Sequence, residues 1–276
     1  MISGEGSDDG HLSTQRESAG VAQATGNLAV LNRVPHIVLS YWVIKIASTT
    51  LGETGADMFS MTMGLGYGST ILVFSAVFLI LLAIKVALAR YRPLAYWLVF
   101  TASAILGTVI SDFIDRTLAM GYAAGSALLT VLLLITLAVW HRREKSLSVE
   151  RIETAGAELY YWFAFLIANT LGTAAGDYLS DDWGIGFMQS AALIGGLLAL
   201  TALAHYFTKA SSEVLFWIAF VLTRPFGATF GDLLTKPVAH GGLDLGTYGA
   251  SAFFAIVMFA ALWREARVEA AGGSAS

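Results

Sequence analysis

The chain carries one pattern four times: a tryptophan, a glycine ten residues on and an aspartate fifteen residues on, each inside a stretch apolar enough for hydrocarbon. The copies read Trp42, Gly52, Asp57; Trp97, Gly107, Asp112; Trp162, Gly172, Asp177; and Trp217, Gly227, Asp232. Such a period constrains the fold more than any single motif, because each copy must be one supersecondary unit that buries its polar face against the others. An ionisable group in the middle of a bilayer costs at least about 2.5 kcal/mol, so its return in four equivalent places marks the carboxylates as functional candidates.

The tryptophans follow one another at 55, 65 and 55 residues. Each copy therefore has room for two spans of roughly 20 residues, and the chain for about eight. The expected fold is all-α: a polytopic membrane protein with about eight transmembrane helices arranged as four parallel two-helix repeats. Charged residues are only 13% of the chain, about half the share in soluble domains. Residues 1–33 are expected to form a disordered cytoplasmic tail, 34–145 repeats 1 and 2, 146–265 repeats 3 and 4, and 266–276 a second cytoplasmic tail. The charged segment His141 to Glu158 accounts for the longer middle step.

Lysine and arginine collect between repeats, at Lys85, Arg90, Arg92, Arg142, Arg143, Lys145, Arg151 and Lys209, and after the last span at Arg264 and Arg267. The joints within repeats hold only Arg116 and Lys236. The positive-inside rule then places the repeat boundaries and both termini in the cytoplasm of a multi-pass inner-membrane protein. An aromatic pair opens each first span (Tyr41-Trp42, Tyr96-Trp97, Tyr161-Trp162, Phe216-Trp217), as expected of anchors at the inner interface. Each aspartate then lies roughly 22 Å further out, before a glycine-bearing outer turn.

With each tryptophan at zero on a helical wheel, positions seven, eleven and fifteen share one face. Position seven holds Thr49, Ala104, Asn169 and Arg224, and position eleven holds Glu53, Thr108, Thr173 and Ala228. Four such faces are expected to converge on a central cavity lined by hydroxyls, an amide and carboxylates, with the second spans packed around it. The glycines favour close helix approach. Lys45 stands where the other copies have Phe100, Phe165 and Phe220, and its ordinary role is to snorkel to the inner interface. Arg224 lies deeper and is expected to partner an acid, Glu53 or a neighbouring aspartate. Pro225, beside it, should kink or break the last first span.

The absence of cysteine excludes disulfides and thiolate metal sites, and a net charge of -4 gives no case for nucleic acid. Neither a nucleotide-binding loop nor a nucleophile constellation is present, and no cofactor is implied. Hard oxygen ligands favour a hard divalent ion, Na+ or protons. The leading expectation is a non-enzymatic secondary transporter for a small cation, hard divalent or proton-coupled. Asp57, Asp112, Asp177 and Asp232 would be its ion or metal site, with Glu53, Thr49, Thr108, Asn169, Thr173 and Arg224 alongside. The tryptophans and glycines are assigned structural roles.

The Trp, Gly and Asp positions resemble a family of bacterial membrane-anchored proteins defined by four tandem copies of a two-span repeat of unknown function, over residues 37 to about 263. The resemblance implies the architecture and no reaction. Three other readings stay open: a non-catalytic scaffold or sensor with structural aspartates, a cation channel, and an intramembrane aspartyl enzyme. The last has only half a motif, because Gly176-Asp177 and Gly231-Asp232 lack the first glycine of Gly-x-Gly-Asp. The lipid bilayer is the expected surrounding, and a homodimer is compatible with eight spans.

Overall fold

A computed structural model describes residues 33–35, 37–145, 147 and 152–273; for residues 212, 213 and 268–273 it describes the backbone alone. The N-terminal tail up to residue 32 and most of the charged joint at 146–151 lie outside the described residues. Eight long helices appear among the described residues: α1 (Leu39–Asp57), α2 (Gly66–Ala87), α3 (Pro93–Asp112), α4 (Tyr122–Glu144), α5 (Ala155–Asp177), α6 (Phe187–Phe207), α7 (Ser212–Thr235) and α8 (Thr247–Gly273). The fold is all-α and polytopic.

Local chemistry fixes the helix ends. Pro93 opens α3 at its first turn, where a missing N–H costs nothing, and Arg92 before it is extended. Thr154 caps α5 by accepting the Ala157 N–H at 3.0 Å. Each of α1, α3 and α5 ends at its repeat aspartate and runs into a five-residue π-helical turn: Met58–Thr62, Phe113–Thr117 and Tyr178–Asp182. Gly66, Gly121, Gly186 and Gly246 then turn the chain back with φ between 73° and 84°. The fourth copy differs, since α7 remains α-helical to Thr235 and is followed by a 3-10 turn at Val238–His240. Pro225 does not break α7, which runs through that residue as one continuous helix.

The first spans form a closed ring in which α1 packs on α3, α3 on α5, α5 on α7, and α7 back on α1. The second spans stand outside this ring, and each packs chiefly on the first span of the following copy: α2 on α3, α4 on α5, α6 on α7, and α8 on α1. The four copies are thus cyclically interlocked. Two spans per copy make all first spans parallel, so equivalent positions fall into layers across the ring.

Six of the eight helices are long and apolar enough to cross a membrane by length and composition. The outer helix α2 is only 22% buried over its apolar window, whereas α3 in the ring is 72% buried. Outer helices therefore show leucine and isoleucine to the surroundings, as in Leu72, Ile80, Leu134, Leu200 and Ile256. The other two, α1 and α5, carry polar residues that the protein itself encloses, which lowers their mean hydropathy without exposing charge to lipid.

Candidate functional site: a layered polar axis

Five layers, four residues apart, stack through the ring. The innermost holds Tyr41, Tyr96, Tyr161 and Phe216, and three of these rings meet the tryptophan of the next copy. Tyr41 lies 5.5 Å from Trp97, Tyr96 lies 5.1 Å from Trp162, and Phe216 closes the circle 5.7 Å from Trp42. This corrects the picture of interfacial anchors: Trp97 and Trp162 are 0% exposed, and only Trp217 is open, at 38%. Their rings serve helix-to-helix packing, where an aromatic pair contributes about 0.5–1.5 kcal/mol beyond area burial. Val34, Pro35 and Ile37 lie across this end, lining a cleft with Tyr41, Tyr96 and Phe216. Arg33, at the expected end of the tail, is tied down by Glu158 at 2.6 Å, and Glu158 also binds Lys85 at 2.6 Å.

In the next layer Phe100 and Phe165 are 4.9 Å apart, and Phe165 and Phe220 are 5.4 Å apart. Lys45 fills the fourth place. It does not snorkel outward: it is 2% exposed, its Nζ lies 3.0 Å from the Phe220 ring centroid, and it donates to the Phe220 carbonyl at 3.1 Å. A cation over a desolvated ring is held by the ring quadrupole, which replaces the missing carboxylate here.

The third and fourth layers explain the four glycines. Each position-ten glycine lies against the position-seven residue of the following copy: Gly52 on Ala104, Gly107 on Asn169, Gly172 on Arg224 and Gly227 on Thr49. A Cβ on Gly52 would sit 2.5 Å from the Ala104 Cβ, and one on Gly227 would sit 2.9 Å from the Thr49 carbonyl carbon. No other residue permits that approach. The helices are close enough for side chains to fill the axis, so at this level the expected central cavity is occupied.

Arg224 does the filling. Its guanidinium donates to the carbonyls of Thr49 at 3.3 Å and Ala104 at 3.4 Å, to Thr173 Oγ1 at 2.5 Å and to Thr108 Oγ1, and Nη1 lies 3.5 Å from Glu53 Oε2. Thr108 in turn donates to Glu53 Oε2 at 3.1 Å. Asn169 belongs to the same layer but turns to Ser103 Oγ, 3.0 Å away. Of the site residues read from sequence, Glu53, Thr49, Thr108, Thr173 and Arg224 therefore form one network around the axis, with Asn169 at its edge.

The four aspartates make the outermost layer, each 2–3% exposed. Lys236 Nζ bridges two of them, Asp57 at 2.6 Å and Asp232 at 3.1 Å, which belong to the first and last copies. Arg116 Nε pairs with Asp112 at 3.1 Å. Asp177 has no ion-pair partner among the described residues, and its buried Oδ1 accepts no hydrogen bond. Burial alone works against the charge on Lys236, but the Asp232 and Asp57 carboxylates outweigh it and hold the ammonium well above the usual lysine range. Among the described residues no three acidic or histidine side chains gather closely enough to hold a metal ion.

The wheel missed Arg116 and Lys236 as members of this layer. Both stand four residues after a repeat aspartate, the spacing at which helical charges meet, and that spacing is a signal the sequence does contain. Asp115 was missed too; it accepts from Ser111 at 3.3 Å and sits over Gly125.

No curated protein and no solved structure matches the chain. The family model described as Repeat of Unknown Function (DUF347) matches four times, at residues 40–91, 95–146, 160–211 and 215–271, each match spanning one first and one second span. With four tandem matches covering most of its length, the chain belongs to the DUF347 repeat family.

Proposed function

We propose that the chain is a secondary transporter whose acidic layer binds a proton or another small cation. The supporting observation is charge arithmetic in a buried place. Glu53, the four repeat aspartates and Asp115 are six carboxylates, and Arg224, Arg116 and Lys236 are three cations, leaving an excess of three negative charges at this end of the ring if all are ionised. Uncompensated charge inside a membrane protein is expensive and is characteristically spent on ion pathways and proton relays. With no group of three ligands for a metal among the described residues, a proton suits the layer better than a divalent ion, because a proton needs only one carboxylate.

In this reading the structure is an occluded state. Arg224 and its hydroxyl partners close the axis below the acids, and the Phe100, Phe165, Phe220 and Lys45 layer closes it again. Transport requires Arg224 to leave the axis. We place the lysine- and arginine-rich repeat boundaries and both termini in the cytoplasm of a bacterial inner membrane, so that the acids lie toward the outside.

The test is reconstitution into vesicles loaded with a pH-sensitive dye, under an imposed pH gradient. Proton flux that is lost in Asp57→Asn, Asp112→Asn, Asp177→Asn and Asp232→Asn while the variants remain folded supports the carrier; full flux in all four removes it. A scaffold role has one observation in its favour, the Lys236 bridge that joins first and last copies. That role predicts variants with reduced thermal stability and a wild type without flux.

A further inference from the structure

The ring has an approximate two-fold relation that sets copy 4 against copy 2 and copy 1 against copy 3. Lys236 of copy 4 holds its own Asp232 and the Asp57 of the following copy. Its counterpart in copy 2 is Arg116, also four residues after the repeat aspartate, and the corresponding acids are Asp112 and Asp177. Arg116 holds only the first. Its side chain is 35% exposed against 16% for Lys236, so it is the looser of the two cations.

Four of the five carboxylates on the polar faces of the first spans thus have a fixed cation within 3.5 Å: Asp57 and Asp232 have Lys236, Asp112 has Arg116, and Glu53 has Arg224; Asp115, in the π turn after α3, has no such cation but accepts from Ser111. Asp177 is 2% exposed with Oδ1 unpartnered. The groups within electrostatic reach of it are Asp232 from α7, Glu53 from α1, Asp112 and Arg116 from α3 and its π turn, and Tyr122 from α4. Ser180, one turn on, gives its hydroxyl to the Gly176 carbonyl and supplies no donor. A buried carboxylate with acids as its main neighbours can be relieved in two ways: it takes a proton, or a mobile cation moves onto it.

Building on the carrier reading, we propose that Asp177 is the single proton-binding residue of the acidic layer and that Arg116 is its exchange partner. When Asp177 holds the proton, Arg116 rests on Asp112, as seen. When the proton leaves, the guanidinium swings to bridge Asp112 and Asp177 in the way Lys236 bridges Asp232 and Asp57. Proton occupancy is thereby converted into movement of a cation at the outer end of the ring.

Infrared difference spectroscopy of the full-length protein in lipid, recorded across a pH step, tests this directly. A carbonyl stretch from a protonated carboxyl group should appear in the wild type, vanish in Asp177→Asn, shift in frequency in Asp177→Glu and persist in Asp57→Asn and Asp232→Asn. Arg116→Gln should displace the pH at which the band titrates. A band unchanged in both Asp177 variants overturns the assignment, and the glutamate variant decides should the asparagine one fail to fold. Flux in phosphatidylcholine and phosphatidylglycerol vesicles, measured in parallel, separates the two claims. A band that follows Asp177 without flux removes the carrier and keeps the proton site; flux without such a band does the reverse.

Discussion

Replacing Arg224 by methionine removes the one side chain that ties three helices of the ring to the fourth. The guanidinium is the counter-charge of Glu53 and the donor to Thr108, Thr173 and two backbone carbonyls. Breaking a buried pair by deleting one partner costs about 3–5 kcal/mol, because the remaining charge stays buried and unpaired. At about 2–4 °C per kcal/mol for a chain of this size class, Tm should fall by about 6–20 °C. Glu53→Met alone leaves Arg224 uncompensated and should cost a similar amount. The double variant removes both charges together and should approach wild-type stability, so the two effects are far from additive. Thermal unfolding in mild detergent, followed by fluorescence of the buried Trp97 and Trp162, reads all four corners of the cycle. An unchanged Tm for Arg224→Met, or a double variant equal to the sum of the singles, would refute the argument that this pair closes the axis.

Other outcomes follow from the same packing. Gly227→Ala puts a Cβ 2.6 Å from Thr49 Oγ1, and the overpacking penalty of about 1–3 kcal/mol should exceed the gain of up to about 1 kcal/mol in helix propensity. Gly68→Ala on α2 meets open space and should leave Tm unchanged or raised. Lys236→Gln strips the cation from two carboxylates at once and should lower Tm more than Arg116→Gln, which removes a partly exposed cation from one carboxylate. The Lys236 contribution has a definite pH dependence. Since its folded-state value is raised, the stabilisation is complete below the ordinary lysine range and fades only as pH rises toward the raised value. A scan from neutral to alkaline pH should show the wild-type advantage over Lys236→Gln intact through the physiological range.

The repeat and its two-span content were legible because a hydrophobic period and a recurring Trp, Gly and Asp are properties of one strand of sequence. The polar face was legible too: Thr49, Glu53, Thr108, Thr173 and Arg224 do meet, and Arg224 does partner Glu53. What a helical wheel cannot contain is the neighbour that takes a face. Nothing in the pattern of α2 says that it packs on α3, and the offset of each second span by one copy arises only when four units close into a ring. The aromatic pairs misled for a related reason. Tryptophan suits both a membrane interface and a dry helix contact, and the choice depends on the aromatic ring of the preceding copy, 56 residues away in the chain for Trp97 and 66 for Trp162. The filled axis follows from the glycines, whose spacing suggested close approach without revealing that position seven of the next copy would occupy the gap. Lys45 departed from expectation because an aromatic ring, which composition counts as apolar, can hold a cation.

Because the chain has no cysteine, cyclic closure can be tested by one disulfide. Thr54 on α1 and Ser251 on α8 lie with their hydroxyl oxygens 2.9 Å apart, whereas the counterpart of Ser251 in the first copy is Ile71 on α2. Oxidation in membranes should cross-link Thr54→Cys with Ser251→Cys and leave Thr54→Cys with Ile71→Cys uncoupled. Efficient coupling of the second pair and none of the first would mean that each second span folds back on its own copy, and the ring that brings the four acids together would not exist.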